Sequence, residues 1–130
     1  MSVETAAAVR RWIDVYQRAW RTGRLDELDS IFALESTTRS QPFRDSESAL
    51  AYQRRVLTTD RSPDARFGEA VIAGDRAAVE YWATFTEKGE IVTIAGCVIL
   101  RFGPDGRCTD SRDYWHLEPG HREPPGGWGS

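Results

Sequence analysis

The sequence predicts an α+β fold in which helices pack on one face of an antiparallel sheet. The first half of the chain has the three- and four-residue apolar spacing of helices, whereas four strand-like runs follow Asp64. Turn sequences that contain glycine separate these runs, which is typical of a β-meander. A chain of 130 residues is long enough for one domain. We expect this domain to span residues 1–118, followed by an irregular Pro/Gly-rich tail over residues 119–130.

Three helices are predicted in the first half. The first has a single apolar stripe, formed by Val9, Trp12, Ile13, Tyr16, Ala19 and Trp20. Gly23 is placed to end this helix, because glycine is favoured just after a helical C-terminus. Asp26 is expected to cap a short second helix over residues 28–32. Residues 34–44 are predicted to be an extended segment and loop, after which residues 45–48 offer N-cap side chains for a third helix.

Four β-strands are predicted in the second half, over residues 65–73, 76–86, 91–102 and 107–117. Because short turns fix the register of neighbouring strands, the first two turns pair Gly68 with Tyr81 and Tyr81 with Gly96. The last turn pairs Gly96 with Asp113, so these four residues form one row across the sheet. The glycines leave a hollow between Tyr81 and Asp113, and a tyrosine side chain is long enough to enter it.

The two faces of this sheet are predicted to differ in role. The face that carries the row is otherwise mainly apolar, with Val79, Ala83, Phe85, Ile94, Val98, Leu100, Ser111 and Trp115. The opposite face carries an aromatic row of Phe67, Trp82 and Tyr114, next to the charged pair Glu80 and Arg112. Aromatic residues beside charges of opposite sign favour a second buried surface, and a homodimer is its simplest partner.

Asp113 is the most informative residue for function, because it places one carboxylate in an aromatic and apolar final strand. Desolvation should raise its pKa and suit it to proton transfer near neutral pH. It is equally compatible with a structural carboxyl group that Tyr81, Tyr16 or a helix-end amide satisfies. Tyr16 and Tyr81 are candidate hydrogen-bond donors to a substrate oxygen, although tyrosines on apolar faces are more often core residues. Candidate ligand-contacting residues, which could equally be plain core, are Trp12, Trp20, Tyr52, Val98 and Trp115.

Composition argues against several classes of protein. The net charge is −3 and the basic residues are scattered, so nucleic-acid binding has little support. No apolar run is long enough to span a bilayer, and the N-terminus lacks a signal-peptide pattern; we therefore expect a cytoplasmic protein. Cys97 and Cys108 have neither zinc nor redox spacing, and we expect both to be reduced. The two histidines form no metal motif with spaced carboxylates. We predict neither a metal nor another cofactor.

The chain resembles SnoaL-like proteins of the nuclear transport factor 2-like superfamily in three features. These are helices at the N-terminus, a hollow apolar sheet face and the closing segment Arg112-Asp113-Tyr114-Trp115. The resemblance covers residues 8–117. It implies a cone-shaped barrel in which three N-terminal helices pack on a curved, mainly antiparallel sheet. It also implies that Asp113 points into the cone, where members of this group bind small molecules.

The family's catalytic residues carry over only in part. Tyr16 lies where ketosteroid isomerases place their oxyanion-binding tyrosine, but their general-base aspartate would fall at Ser40 or Gln41. Their second, protonated aspartate would fall near Val98. Asp113 matches the water-activating aspartate of limonene epoxide hydrolase, whose other two catalytic residues have no counterpart here. SnoaL-type cyclases, which use a pocket aspartate as acid and base, are the nearer analogy.

The sequence and the resemblance together predict a small-molecule enzyme that uses Asp113 as general acid and base. The expected substrate is an apolar cyclic or polyketide-like molecule in the cone interior, and the chemistry is isomerisation, dehydration, cyclisation or epoxide opening. One alternative is a non-catalytic protein that binds a small ligand in the same hollow. The other is a homodimeric interaction protein whose interior is filled by side chains.

Overall fold

Two α-helices, a short 3-10 turn and seven β-strands form the fold of residues 4–130, the part of the chain that the computed structural model describes. In chain order the elements are α1 (Thr5–Thr22), the 3-10 turn (Leu28–Ser30), β1 (Phe32–Ser40), β2 (Glu47–Ser48), α2 (Ala49–Thr59), β3 (Arg66–Phe67), β4 (Val71–Ala73), β5 (Arg76–Glu87), β6 (Glu90–Phe102) and β7 (Cys108–Pro119). These elements confirm the predicted α+β class.

All the strands belong to one mixed sheet with the order β2-β1-β7-β6-β5-β3, and β4 also pairs with β5. β1 and β7 run parallel, while the other paired strands run antiparallel. β2 and β3 lie at opposite ends of the strand order, so the sheet does not close into the barrel that the resemblance implied. Both helices contribute to the core that covers one side of the sheet, here called the inner face; the other side is the outer face.

Helix α1 forms because its apolar residues fall on one stripe. Ala8, Val9, Trp12 and Trp20 on this stripe are buried in the core. Gly23 ends the helix in the left-handed region, with φ 77°, and its backbone N–H donates to the Ala19 carbonyl. Glycine adopts this conformation without the steric cost of a side chain, as the sequence predicts.

The predicted second helix is wrong. Only a 3-10 turn forms at Leu28–Ser30, and Phe32 begins strand β1 instead of ending a helix. The Ile31 carbonyl accepts a hydrogen bond of 2.7 Å from the Cys108 backbone N–H, on the strand that pairs with β1. Ile31 and Phe32 are both buried, and Phe32 has the extended conformation of a strand, which suits aromatic residues. The fold therefore has two α-helices among its described residues, not three.

Helix α2 begins where the sequence predicts N-cap side chains. The Ser48 hydroxyl accepts a hydrogen bond of 3.3 Å from the Ala51 backbone N–H. This bond satisfies one of the backbone donors that a helix start leaves unpaired. Its buried face carries Ala49, Leu50 and Leu57, together with one polar residue, Gln53.

The predicted pairing of Tyr81 with Gly96 is confirmed, because the turn between β5 and β6 is short enough to fix the register. The pairing of Gly68 with Tyr81 is wrong, since Phe67 lies opposite Tyr81. The chain leaves the ladder between β3 and β4, so the register of β4 is not continued into β3. A one-residue shift reverses the faces of a strand, and Phe67 therefore points to the inner face and not the outer one.

Asp113 pairs with Val98 and not with Gly96 as predicted. The final ladder begins at Phe102 opposite Cys108, one residue beyond the expected partner, and the register shifts again before Arg101 pairs with Asp110. Two shifts of one residue add up to two, which moves a residue along the strand but keeps it on the same face. Asp113 is therefore on the inner face, where the sequence placed it.

The C-terminal residues 120–130, here called the C-terminal strap, lie across the outer face of β5 and β6. The Thr93 hydroxyl donates to the Gly120 carbonyl at 2.7 Å, and Trp82 Nε1 donates to the Arg122 carbonyl at 2.7 Å. The rings of Trp82 and Trp128 meet edge to face, with centroids 5.9 Å apart. The strap thus covers Trp82, which is part of the surface predicted for a homodimer.

The cysteines lie apart in this fold. Cys97 and Cys108 are free cysteines in this fold. Burial raises the pKa of Cys108 to about 12, so this thiol stays protonated at neutral pH. Within residues 4–130, no three His, Cys, Asp or Glu side chains converge as a metal site would require. None of the helices in these residues has the length and apolar character needed to cross a membrane.

Candidate functional site

A cavity opens between the two helices and the inner face of β5, β6 and β7. Its volume is about 110 Å³. All eight residues that the sequence predicts for the site lie in its wall: Trp12, Tyr16, Trp20, Tyr52, Tyr81, Val98, Asp113 and Trp115. The interior is therefore hollow, which argues against the expectation of a filled core.

Tyr81 and Asp113 form the central polar contact of this wall. The Tyr81 hydroxyl donates a hydrogen bond of 2.7 Å to Asp113 Oδ1. Gly96 makes this contact possible, because a Cβ at that position would lie 2.6 Å from the Tyr81 hydroxyl and 2.6 Å from the Tyr114 carbonyl oxygen. The hollow beside Gly96 thus holds the phenol ring that the sequence predicts for it, although the strand partner of Asp113 is different.

The environment of Asp113 favours its neutral form more than water does. Burial raises the pKa of this carboxyl group to about 6, while hydrogen bonds from the Tyr81 hydroxyl and the Tyr114 backbone N–H lower it. No arginine, lysine or histidine lies in the cavity wall formed by the described residues. The acid therefore has both protonation states available close to neutral pH, which general acid–base catalysis requires.

Tyr16 faces the cavity from the helical side and has a partner of its own. Its hydroxyl donates a hydrogen bond of 2.6 Å to Gln53 Oε1. Its ring stacks on Trp12, with centroids 4.6 Å apart and planes 12° apart. Burial raises the pKa of Tyr16 well above its ordinary value, and the negative charge of Asp113 raises it further. Tyr16 is therefore a neutral hydrogen-bonding group at any physiological pH.

A third polar group holds Tyr52 and Trp115. The Ser40 hydroxyl oxygen accepts hydrogen bonds from the Tyr52 hydroxyl at 2.9 Å and from Trp115 Nε1 at 3.0 Å. Ser40 is buried at the end of β1, opposite Asp113 in the parallel ladder. One serine thus connects α2, β1 and β7 and fixes two aromatic side chains of the cavity wall.

Two further acids, Asp60 and Glu87, line the cavity and were not predicted from the sequence. Trp20 Nε1 donates a hydrogen bond of 2.8 Å to the Asp60 backbone carbonyl, which ties the end of α2 to α1. Burial raises the pKa of Asp60, and the charge of Glu87 raises it further. The cavity therefore carries three carboxyl groups.

Sequence reasoning also missed the roles of Gln53 and Phe67. Gln53 is buried on the same face of α2 as Leu50 and Leu57, so a single polar residue on an apolar stripe was the available signal. Phe67 packs edge to face against Trp12 with centroids 5.5 Å apart, and only the register error kept it off the inner face. Both residues line the cavity.

Comparison with known proteins assigns the family. Residues 9–111 match the family model of the SnoaL-like domain. The chain therefore belongs to the SnoaL-like family, within the nuclear transport factor 2-like superfamily. No curated protein matches the chain at a significant level.

Solved structures share the fold at low sequence identity. SalBIII, an epoxide hydrolase/cyclase-like enzyme described in pyran ring formation in the polyether salinomycin, is 20% identical with a TM-score of 0.69, and the match covers 87% of this chain and 95% of SalBIII. An LEH-like epoxide hydrolase from M. tuberculosis is 17% identical with a TM-score of 0.67, covering 88% and 84%. A steroid delta-isomerase from Pseudomonas aeruginosa is 19% identical with a TM-score of 0.65, covering 86% and 79%. At these identities the likeness establishes the fold alone.

Proposed function

We propose that this protein is a small-molecule enzyme in which Asp113 acts as general acid and base on an apolar cyclic or polyketide-like substrate. The observation that carries the proposal is the position of Asp113, a carboxyl group in the wall of an aromatic cavity with one hydrogen bond from Tyr81. Small molecules are the ligands of the SnoaL-like family. The fold neighbours include a cyclase-like enzyme, an epoxide hydrolase and an isomerase, whose reactions all need proton transfer.

The chemistry follows from the two protonation states of Asp113. As a carboxylate it removes a proton from an acidic C–H, a hydroxyl group or a water molecule, and as an acid it returns the proton to a neighbouring atom. Tyr81 stabilises the carboxylate through its hydrogen bond and orients it toward the cavity. A substrate that fills the aromatic cavity displaces water from it, which strengthens the electrostatic interactions of the few polar groups inside.

A substrate-independent assay tests the acid–base role. The probe is 5-nitrobenzisoxazole: a base removes its C3 proton, the N–O bond breaks, and the oxygen leaves as a coloured phenolate while a nitrile forms. We expect saturable turnover that follows ionisation of a group with a pKa of about 6. Asp113→Asn should bind the probe and lose this turnover. An unchanged rate in Asp113→Asn rules out Asp113 as the base.

A non-catalytic binding protein is the second candidate, and one observation favours it. The hydrogen bond from Tyr81 satisfies one oxygen of Asp113, as in a purely structural carboxyl group. A thermal-shift series with hydroxylated polycyclic ligands separates the two candidates, because ligand binding raises the melting temperature. A shift that depends on pH in the wild type and not in Asp113→Asn supports the enzyme, whereas identical shifts in both support the binding protein.

We also propose a homodimer, with its contact confined to the uncovered part of the outer face. The strap occupies the outer side of β5 and β6, whereas Tyr114 on β7 is 39% exposed. Light scattering of wild type and Tyr114→Glu measures this: a dimer that the charge converts to a monomer is the expected result. A monomeric wild-type protein contradicts the proposal. Cytoplasmic location stays a prediction from the sequence.

A further inference from the structure

The tyrosine hydroxyl protons of the cavity wall are already donated to protein acceptors. Three tyrosines line the cavity, and a phenol has a single proton to donate. The bonds run from Tyr16 to Gln53 at 2.6 Å, from Tyr52 to Ser40 at 2.9 Å and from Tyr81 to Asp113 at 2.7 Å. A ligand oxygen that enters the cavity therefore finds no tyrosine proton available without breaking one of these bonds.

Gln53 is different, because its amide has more hydrogen-bonding capacity than the protein uses. Its Oε1 accepts from the Tyr16 hydroxyl. Its Nε2 carries two protons, and in the described part of the chain this nitrogen donates to no protein atom. Nε2 is also not among the enclosed unpaired atoms of the fold, although Gln53 is only 7% exposed and lines the cavity. Nε2 is therefore accessible, and Gln53 lines the cavity.

Gln53 and Asp113 approach the cavity from opposite layers of the fold. Gln53 lies on α2 in the helical layer, and Asp113 lies on β7 in the sheet. A flat ligand between the layers contacts both, with an acceptor oxygen at the amide and an acidic or basic atom at the carboxyl group. An oxygen that gains negative charge as a proton leaves the ligand is stabilised by such a fixed donor.

The charges of the wall narrow the ligand class. Asp60, Glu87 and Asp113 lie in it, and no cationic side chain among the described residues does. Carboxylate or phosphate ligands would meet repulsion from these acids, with no positive group to offset their desolvation. The cavity therefore suits a ligand that is neutral and presents an oxygen acceptor.

We propose that Gln53 is the hydrogen-bond donor that binds the substrate oxygen, and that the substrate is a neutral cyclic molecule with a carbonyl or similar acceptor. The Tyr16 hydroxyl gives its proton to Gln53 Oε1 and is therefore not the donor to the substrate. The inference rests on the proposed function of the cavity. It assigns to an amide the role that the resemblance implied for the hydroxyl of Tyr16.

Infrared spectroscopy of a bound ketone tests this assignment. The probe is 1-tetralone labelled with carbon-13 at its carbonyl group, a neutral bicyclic ketone whose C=O stretch moves to lower frequency when it accepts a hydrogen bond. Wild type is compared with Tyr16→Phe and with the double variant Tyr16→Phe/Gln53→Met. The double variant is needed because Gln53→Met alone would free the Tyr16 proton for the ketone. Tyr52→Phe is the matched control, a hydroxyl removed from the same wall.

We expect the lowered frequency in wild type, Tyr16→Phe and Tyr52→Phe. The double variant should lose it and bind 1-tetralone roughly 3- to 10-fold more weakly, as expected for one hydrogen bond. Loss of the shift in Tyr16→Phe alone would assign the donor to the tyrosine and overturn the inference. Persistence of the shift in the double variant would overturn it as well. Absence of saturable binding to wild type would instead refute the proposed function, and the inference with it. Circular dichroism confirms that each variant is folded.

Discussion

Replacing Gly96 with alanine is the sharpest test of how this cavity is built. A Cβ at residue 96 would lie 2.6 Å from the Tyr81 hydroxyl oxygen, 2.7 Å from Tyr81 Cζ and 2.6 Å from the Tyr114 carbonyl oxygen. These distances are far shorter than the 3.5–4.0 Å at which carbon contacts are favourable. The Tyr114 atom belongs to the backbone of a paired strand and is hard to move. The phenol of Tyr81 must therefore move away from Asp113, and the strands must separate slightly.

Two effects set the size of the change. Forcing an extra methyl group into a packed site costs about 1–3 kcal/mol. Losing a hydrogen bond to a charged group costs about 1.5–3 kcal/mol, and part of that loss is avoided if Asp113 becomes protonated. We therefore expect Gly96→Ala to lower the free energy of unfolding by about 2–4 kcal/mol, which lowers the melting temperature by on the order of 10 °C. Because the Tyr81 hydrogen bond lowers the pKa of Asp113, its loss should raise that pKa above about 6.

Thermal unfolding followed by circular dichroism measures the stability, and carbon-13 NMR of the labelled aspartate carboxyl groups measures the pKa. Gly126→Ala is the matched control, since a Cβ there meets no atom within 4 Å and the backbone is not left-handed; we expect a change within about 0.5 kcal/mol. If Gly96→Ala is as stable as Gly126→Ala and the pKa of Asp113 is unchanged, the contact between Tyr81 and Asp113 does not depend on the missing side chain.

Three further predictions concern pH, the strap and the start of α2. The pKa of Asp113 is about 6 in the folded protein, against 3.8 for a free aspartate. Between these values the native state binds more protons than the unfolded state. The free energy of unfolding should therefore fall by up to roughly 3 kcal/mol as pH rises from about 4 to 6. Chemical denaturation across pH measures this slope, and an equal slope in Asp113→Asn would contradict its origin. Trp128→Ala removes the ring whose centroid lies 5.9 Å from that of Trp82. We expect the free energy of unfolding to fall by about 1–2 kcal/mol and the Trp82 indole N–H to exchange faster with solvent. An unchanged exchange rate would show that the strap does not protect this group. Ser48→Ala removes the N-cap acceptor of α2 and should cost about 1 kcal/mol in urea unfolding, with Ser48→Asp retaining the stability; equal losses in both variants would rule out capping as the cause.

Local signals in the sequence predict much of this fold, because local contacts determine those parts. The stripe of α1 and its end at Gly23 depend on residues close together in the chain. The same holds for the register of β5 and β6, which one short turn sets. Since faces alternate along a strand, that register was enough to place Tyr81 on the inner face.

The errors arise where distant segments decide the outcome. Phe32 begins a strand because β7 offers a parallel partner about 75 residues later, which no local pattern reveals. A longer loop and a bulge changed the strand partner of Asp113. Asp113 nevertheless lies on the predicted inner face, because two register shifts of one residue each do not reverse the face of a strand. The roles of the site residues stay predictions until variants are measured. The hydrogen bond of Gln53 could not be predicted from local sequence, since its partner Tyr16 is 37 residues away.

The strap has a consequence for any second copy of the chain that approaches the outer face. A segment tethered to its own binding surface acts at an effective concentration on the order of millimolar. A second copy at micromolar concentration therefore competes for the Trp82 surface at about a thousandfold disadvantage, equivalent to about 4 kcal/mol. The outer side of β7, where Tyr114 is 39% exposed, is free of this competition. A second copy is therefore expected to bind where the strap does not cover the sheet.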